Sequence, residues 1–190
     1  MLAQILRFLL DTVFGFYVFV LLARFYLQLL RAPFRNPLGQ FVTALTNWMV
    51  LPARRLIPGM FGLDLASFLL AWLAETLLLF LLYALGPGSI GSASGLAVGI
   101  FLSLALLELV RFSLYLLIGV VLIQAVISWI NPYATLAPLF NALDAPFLRP
   151  FQRLIPPIGN IDLSPLFALI AAQLLLILLE NLACAVALLL

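Results

Sequence analysis

From Phe8 to Leu30 the chain is almost unbroken in apolar side chains, about 23 residues or ~35 Å of helix, enough to cross a bilayer. Arg31, Pro33, Arg35, Asn36 and Pro37 close that run, because proline lacks an amide donor and disfavours helix just before it. The pattern then changes. Leu38, Phe41, Val42, Leu45, Trp48 and Met49 recur at helical spacing, with Gln40, Thr43, Thr46 and Asn47 on the other face. The stretch from Leu38 to Val50 is too short to span and carries an interfacial tryptophan, so it predicts an amphipathic helix lying along the membrane surface or dipping into it. Pro52-Ala53-Arg54-Arg55-Leu56-Ile57-Pro58 follows, and prolines at both its ends predict a turn rather than a continuous helix. A second apolar run from Leu65 to Leu85 is long enough to span, and Gly86-Pro87-Gly88 stops it.

The same order then recurs. Pro150-Phe151-Gln152-Arg153-Leu154-Ile155-Pro156 repeats the Pro-x-x-Arg-Leu-Ile-Pro pattern 98 residues on, and Asp162-Leu163 repeats Asp64-Leu65 at that offset. Leu136, Leu139, Phe140, Leu143 and Phe147 take the places of the earlier apolar positions, while Asn141 and Asp144 supply the polar side. Pro138 fits a first helical turn, and Pro146 is expected to end or kink the helix. Asp162-Leu163-Ser164-Pro165 is a helix-start signal, with Ser164 as N-cap and Pro165 at the first helical position. An apolar run to about Leu189 follows. The expected fold is therefore all-α and polytopic. Two tandem hairpin repeats each hold a span, an amphipathic interfacial helix, a Pro/Arg turn and a second span, with boundaries at 1–86, 87–107 (a linker and an extra apolar helix near 90–107) and 108–190.

The region from Ile90 to Ile130 is apolar for about 41 residues, ~60 Å as one helix and twice the hydrocarbon thickness. Leu109 to Ile130, closed by Asn131-Pro132, reads as the counterpart of the first span. Residues 90–107 are then interfacial or re-entrant; if they cross fully, the copies are inverted. Arg31, Arg35, Arg54 and Arg55 in the first connector, with Arg149 and Arg153 in the second, favour parallel copies with both connectors cytoplasmic. Gly91, Gly95, Gly99 and Ser103 form a small-residue stripe that suits either packing within the chain or a partner helix.

Composition narrows the function. The chain is 66% hydrophobic and only 8% charged, too little charge to cover a soluble body. All nine basic residues are scattered arginines, which excludes the clustered basic face of a nucleic-acid binder. With no histidine and one cysteine, Cys184, the chain offers no acyl-transfer triad of the usual form and no zinc site. No glycine-rich phosphate loop sits between a strand and a helix. The expectation is a protein that is not an enzyme and carries no cofactor or metal. Its expected partners are the lipid bilayer, other membrane proteins and a second copy of itself.

Ionisable residues within spans are the remaining candidates. Arg24 and Glu75 either pair to hold helices together or, with Glu180, mark an ion or proton path; Gln173 replaces Glu75 in the second copy. Glu108 and Arg111, three apart, are placed to pair on one face. Arg55 with Asp64, and Arg153 with Asp162, either clamp each connector to the next span through a guanidinium–carboxylate fork or leave the arginines touching lipid phosphate.

Two apolar hairpins with these turns resemble the YggT family, which includes YlmG relatives in Gram-positive bacteria and plastids. The likeness covers about Phe8 to Leu189 and is closest in Ser128-Trp129-Ile130, in the run from Asp144 to Pro157, and in Ile161-Asp162-Leu163-Ser164-Pro165. The first copy departs from it, with Ala66-Ser67 in place of Ser164-Pro165. The resemblance implies a small integral protein of the bacterial cytoplasmic membrane. It implies links to osmotic tolerance and cation homeostasis, to division or envelope organisation, and in plastids to nucleoid distribution and assembly of a b-type cytochrome. A scaffold or assembly factor and a component of a channel or transporter both follow from it.

Overall fold

A computed structural model describes residues 1–32, 36–57, 64–85, 95–130, 136–154 and 162–188. Every regular element among them is an α-helix: α1 Leu2–Leu29, α2 Pro37–Leu56, α3 Leu65–Ala84, α4 Gly95–Ile130, α5 Ala137–Leu154 and α6 Ser164–Ala187. Four of them, α1, α3, α4 and α6, are long and apolar enough to cross a membrane. The chain is a polytopic all-α protein.

Helix ends follow the local chemistry. At the end of α1, Ala32 N–H reaches back to Leu27 O and Arg31 N–H to Gln28 O. That is a Schellman closure, and it holds Arg31 at φ 51, a left-handed conformation unusual for a residue with a side chain. Asn36 caps α2 by accepting from Gly39 N–H at 2.7 Å, with Pro37 at the first helical position. Asp64 caps α3 by accepting from Ser67 N–H. At α6 the start falls one residue earlier than the sequence suggested. Ser164 is the first helical residue, and its N–H donates to the Asp162 carboxylate at 2.8 Å.

Two expectations are corrected. The Pro/Arg motif is not a turn. α2 continues through Pro52 to Leu56, and α5 through Pro146 and Pro150 to Leu154. Each proline forfeits one backbone hydrogen bond, and all three prolines are exposed. The second correction concerns the apolar stretch before Leu109. It is no separate interfacial or re-entrant helix: from Gly95 it runs without a break into α4, whose 36 residues make about 54 Å of helix. The stops at Gly86-Pro87-Gly88 and Asn131-Pro132, and Pro33, Arg35 and Gly91, lie outside the described residues.

The helices pack as two copies of one three-helix unit. Tyr17, Leu21, Val50, Ala53, Leu70 and Ala71 join α1, α2 and α3. Leu117, Val121, Leu148, Phe151, Ala168 and Leu169 join α4, α5 and α6 in the same way. The matching pairs lie 100 residues apart between α1 and α4 and 98 apart beyond, so the link after the first helix is two residues shorter in the second copy. A third cluster combines Val20, Leu27 and Val42 with Leu116, Val120, Leu139, Phe140 and Leu143. Both connectors, α2 and α5, therefore meet at one end of the bundle. At the other end Arg7 donates to Leu85 O at 2.8 Å, and Phe101 packs edge-on to Phe80 and Tyr83.

Candidate functional site

In the first copy the connector end is filled by a knot of polar side chains centred on Asp64. That residue is 2% exposed, and Arg24, in the last turns of α1, is 4% exposed. Arg54 engages both Asp64 oxygens, at 3.2 Å from Nε and 2.6 Å from Nη2, while Arg24 Nε lies 3.3 Å from Oδ2. Ser67 Oγ donates to Oδ2 at 2.7 Å. Arg54 Nη2 also donates to Gln28 Oε1 at 2.9 Å, and Arg24 Nη1 donates to Thr46 Oγ1 at 2.6 Å and Asn47 Oδ1 at 2.8 Å. One carboxylate thus ties α1, α2 and α3 together. Burial alone would push the Asp64 carboxyl up; hydrogen bonds from Arg54 and Ser67 outweigh it and hold the carboxyl below its usual range.

This arrangement corrects the expected pairs. Arg55 is not the partner of Asp64: it is exposed, and Arg54 takes the role. Because the motif is helical, neighbouring residues point about 100° apart, so only one of the two arginines faces α3. Nor does Arg24 pair with Glu75. Glu75 is 3% exposed in α3, its Oε2 has no hydrogen-bond partner, and Glu108 and Asp11 are the charged groups near it. Glu108 does pair with Arg111, at 3.3 Å, and Arg111 also approaches Glu180 at 3.8 Å, so Glu180 is tied to α4 rather than to Glu75 or Arg24.

In the second copy, Arg153 makes no ion pair with Asp162. Gln152 contacts it instead, at 3.1 Å, in the position Arg54 occupies in the first copy. Burial alone would raise Asp162, but hydrogen bonds from Ser164 and Gln152 together outweigh it and hold it below its usual value. The knot itself is replaced by a cavity of about 990 Å³, lined by Gln124 and Ser128 of α4, Asn141, Asp144, Arg149 and Gln152 of α5, and Asp162 ahead of α6. Asp144 is 3% exposed, and burial raises its carboxyl to about 6. Gln124 Nε2 donates to Asn141 Oδ1 at 2.6 Å, while the buried Gln124 Oε1 has no partner.

The glycine stripe is only partly described. Gly95 opens α4, and Gly99 is exposed, with nothing within 4 Å of where a Cβ would sit. Among the described residues no other helix approaches Gly99 closely. Among the described residues no group of three or more histidine, cysteine or acidic side chains is placed to hold a metal ion.

Sequence reasoning found Arg24, Asp64 and Asp162 but missed Gln28, Thr46, Asn47, Arg54 and the cavity residues as a set. Carrying the helical period of α2 through Pro52 would have put Arg54 on the face of Thr46 and Asn47.

The sequence profile of a family described as CCB3/YggT matches residues 3–85 and 103–183. An uncharacterised protein of Pseudomonas aeruginosa is 38% identical over 180 residues, covering 93% of this chain and 89% of that one. An uncharacterised protein of Vibrio alginolyticus, in the proC 3′ region, is 36% identical over 170 residues, 88% and 89% of the two chains. The uncharacterised protein YggT of Escherichia coli K12 is 34% identical over 165 residues, 85% and 81%. No solved structure shows a significant match.

Proposed function

The chain belongs to the CCB3/YggT family, and from that premise we propose that it is a non-enzymatic membrane scaffold, an organising or assembly factor for other membrane components. The supporting observation is the use made of its charges. Arg24, Arg54 and Asp64 staple three helices together, and Arg111 links Glu108 on its own helix to Glu180 on α6. The cavity beside Asp144, the one between α1, α4 and α5, and the one at Arg7 and Asp11 are not lined by Glu75 or Glu180. Charges spent on staples give a rigid body suited to holding partners. In this reading the protein resides in the bacterial cytoplasmic membrane, with both arginine-bearing connectors on the cytoplasmic side.

One observation favours a second reading, a transporter component in osmotic or cation homeostasis: the buried Glu75 carboxylate in α3, with an unpartnered oxygen. Purified protein in liposomes separates the two. The scaffold reading expects potassium, sodium and proton fluxes no faster than in empty liposomes. A flux that Glu75→Gln abolishes while melting temperature stays normal would replace it with the transporter reading.

A further inference from the structure

The two copies treat one place in opposite ways. The first-copy residues Arg24, Gln28, Thr46, Arg54 and Asp64 correspond, through the packing registers of 100 and 98, to Gln124, Ser128, Asp144, Gln152 and Asp162. All five second-copy residues line the cavity of about 990 Å³. Both guanidinium groups have become carboxamides, and a threonine has become an aspartate. The formal charge of the cluster changes from +1 to −2.

Where the first copy places the Arg24 guanidinium against a carboxylate and a hydroxyl, the second keeps the carboxylate, substitutes a second carboxylate for the hydroxyl, and leaves open space. Asp144 is 3% exposed; the backbone N–H groups of Asp144 and Ala145 donate to its carboxylate, and no side chain among the described residues does. Gln124 Oε1, in Arg24's position, is buried without a donor. Arg149 lies on the cavity wall but is exposed and makes no ion pair with Asp144 or Asp162. A buried carboxylate that no cationic side chain pairs and a buried amide oxygen without a donor, set around open space, call for a ligand that brings N–H groups and positive charge.

We propose that this cavity binds an organic cation through a guanidinium or primary ammonium group, held by the Asp144 and Asp162 carboxylates with Gln124 Oε1 as a further acceptor. The chain's own first copy shows the geometry, with an arginine supplying the cation internally. The cavity lies at the connector end, so the cation is either a free small molecule or the ammonium of an aminophospholipid headgroup. The site stands whichever reading of the overall function holds.

The test titrates purified full-length protein with methylguanidinium and follows melting temperature, with tetramethylammonium, potassium and sodium at equal ionic strength as controls. Methylguanidinium is expected to raise the melting temperature saturably and the controls not to. Asp144→Asn should shift the half-maximal concentration upward by roughly tenfold or more, as losing one charged hydrogen-bond partner does. Gln124→Arg, which supplies the missing guanidinium from within, should raise the basal melting temperature and abolish the response. If that variant does not accumulate, Gln152→Arg, which restores the counterpart of Arg54, takes its place. No response in the unsubstituted protein, an equal response to the control ions, or an unchanged response in both Asp144→Asn and the arginine variant overturns the proposal. Nanodiscs then identify the source. A methylguanidinium response lost in phosphatidylethanolamine but kept in phosphatidylcholine supports the site with a lipid ammonium as occupant; a response kept in both supports it with a free cation.

Discussion

Asp64 shows how much one side chain holds. Its carboxylate neutralises Arg24, which has almost no access to water, and anchors Arg54 at the end of α2. Asp64→Ala strands a buried guanidinium and is expected to cost about 3–5 kcal/mol. Arg55→Ala removes an exposed charge and should cost under about 0.5 kcal/mol. Thermal or denaturant unfolding in detergent checks the contrast, and equal effects would mean that Arg55 matters to the packing as much as Asp64 does. Asp144 has the opposite character. Its carboxyl is raised to about 6 from an ordinary 3.8, so the folded chain holds the proton more tightly than the unfolded one. Stability therefore falls as pH rises from about 4 to about 6, by at most about 3 kcal/mol, and the penalty stays in force above that range. Asp144→Asn is expected to flatten this slope and raise melting temperature near neutral pH, measured without added organic cation. Matching pH profiles for the two proteins would remove Asp144 as the cause.

At the scale of elements, α4 is the decisive piece. It packs against α1, α3, α5 and α6: Leu102 O accepts from Trp72 Nε1 at 2.9 Å near one end, and Val121 joins α5 and α6 near the other. Its apolar length had two sequence readings, because hydropathy measures how much apolar surface exists and not whether the backbone is continuous. Leu106 is exposed, so Leu106→Pro disturbs the backbone without emptying a packed site. A continuous helix predicts a loss of about 3 kcal/mol or more and reduced folded yield. A hinge or break near 107 would tolerate the change, and folded yield together with helical circular dichroism distinguishes the two. The connector helices teach the converse. Their amphipathic spacing was legible from Leu38, Phe41, Val42 and Leu45, but their ends were not, since three exposed prolines looked like stops and are carried within helices.

For the whole molecule, the shared cluster of Val42 with Leu139, Phe140 and Leu143 puts both connectors at one end. Single cysteines at the exposed positions 55 and 141, in a chain whose Cys184 is replaced, should therefore react with an impermeant maleimide from the same side of sealed vesicles. One at position 2 should react from the other. Labelling of 55 and 141 from opposite sides would contradict this packing.

By itself the sequence determined that the chain crosses a membrane several times, that one motif recurs 98 residues on, and which stretches are apolar spans and which amphipathic, because apolar length, periodicity and the spacing of the repeated motif are properties of the linear chain. Only the tertiary structure decided which arginine meets Asp64, that Arg24 belongs to that knot and not to Glu75, and that the matching place in the second copy is open. Those outcomes depend on which way each side chain faces across three helices, and a two-residue change in one link was enough to hide the correspondence from a single offset.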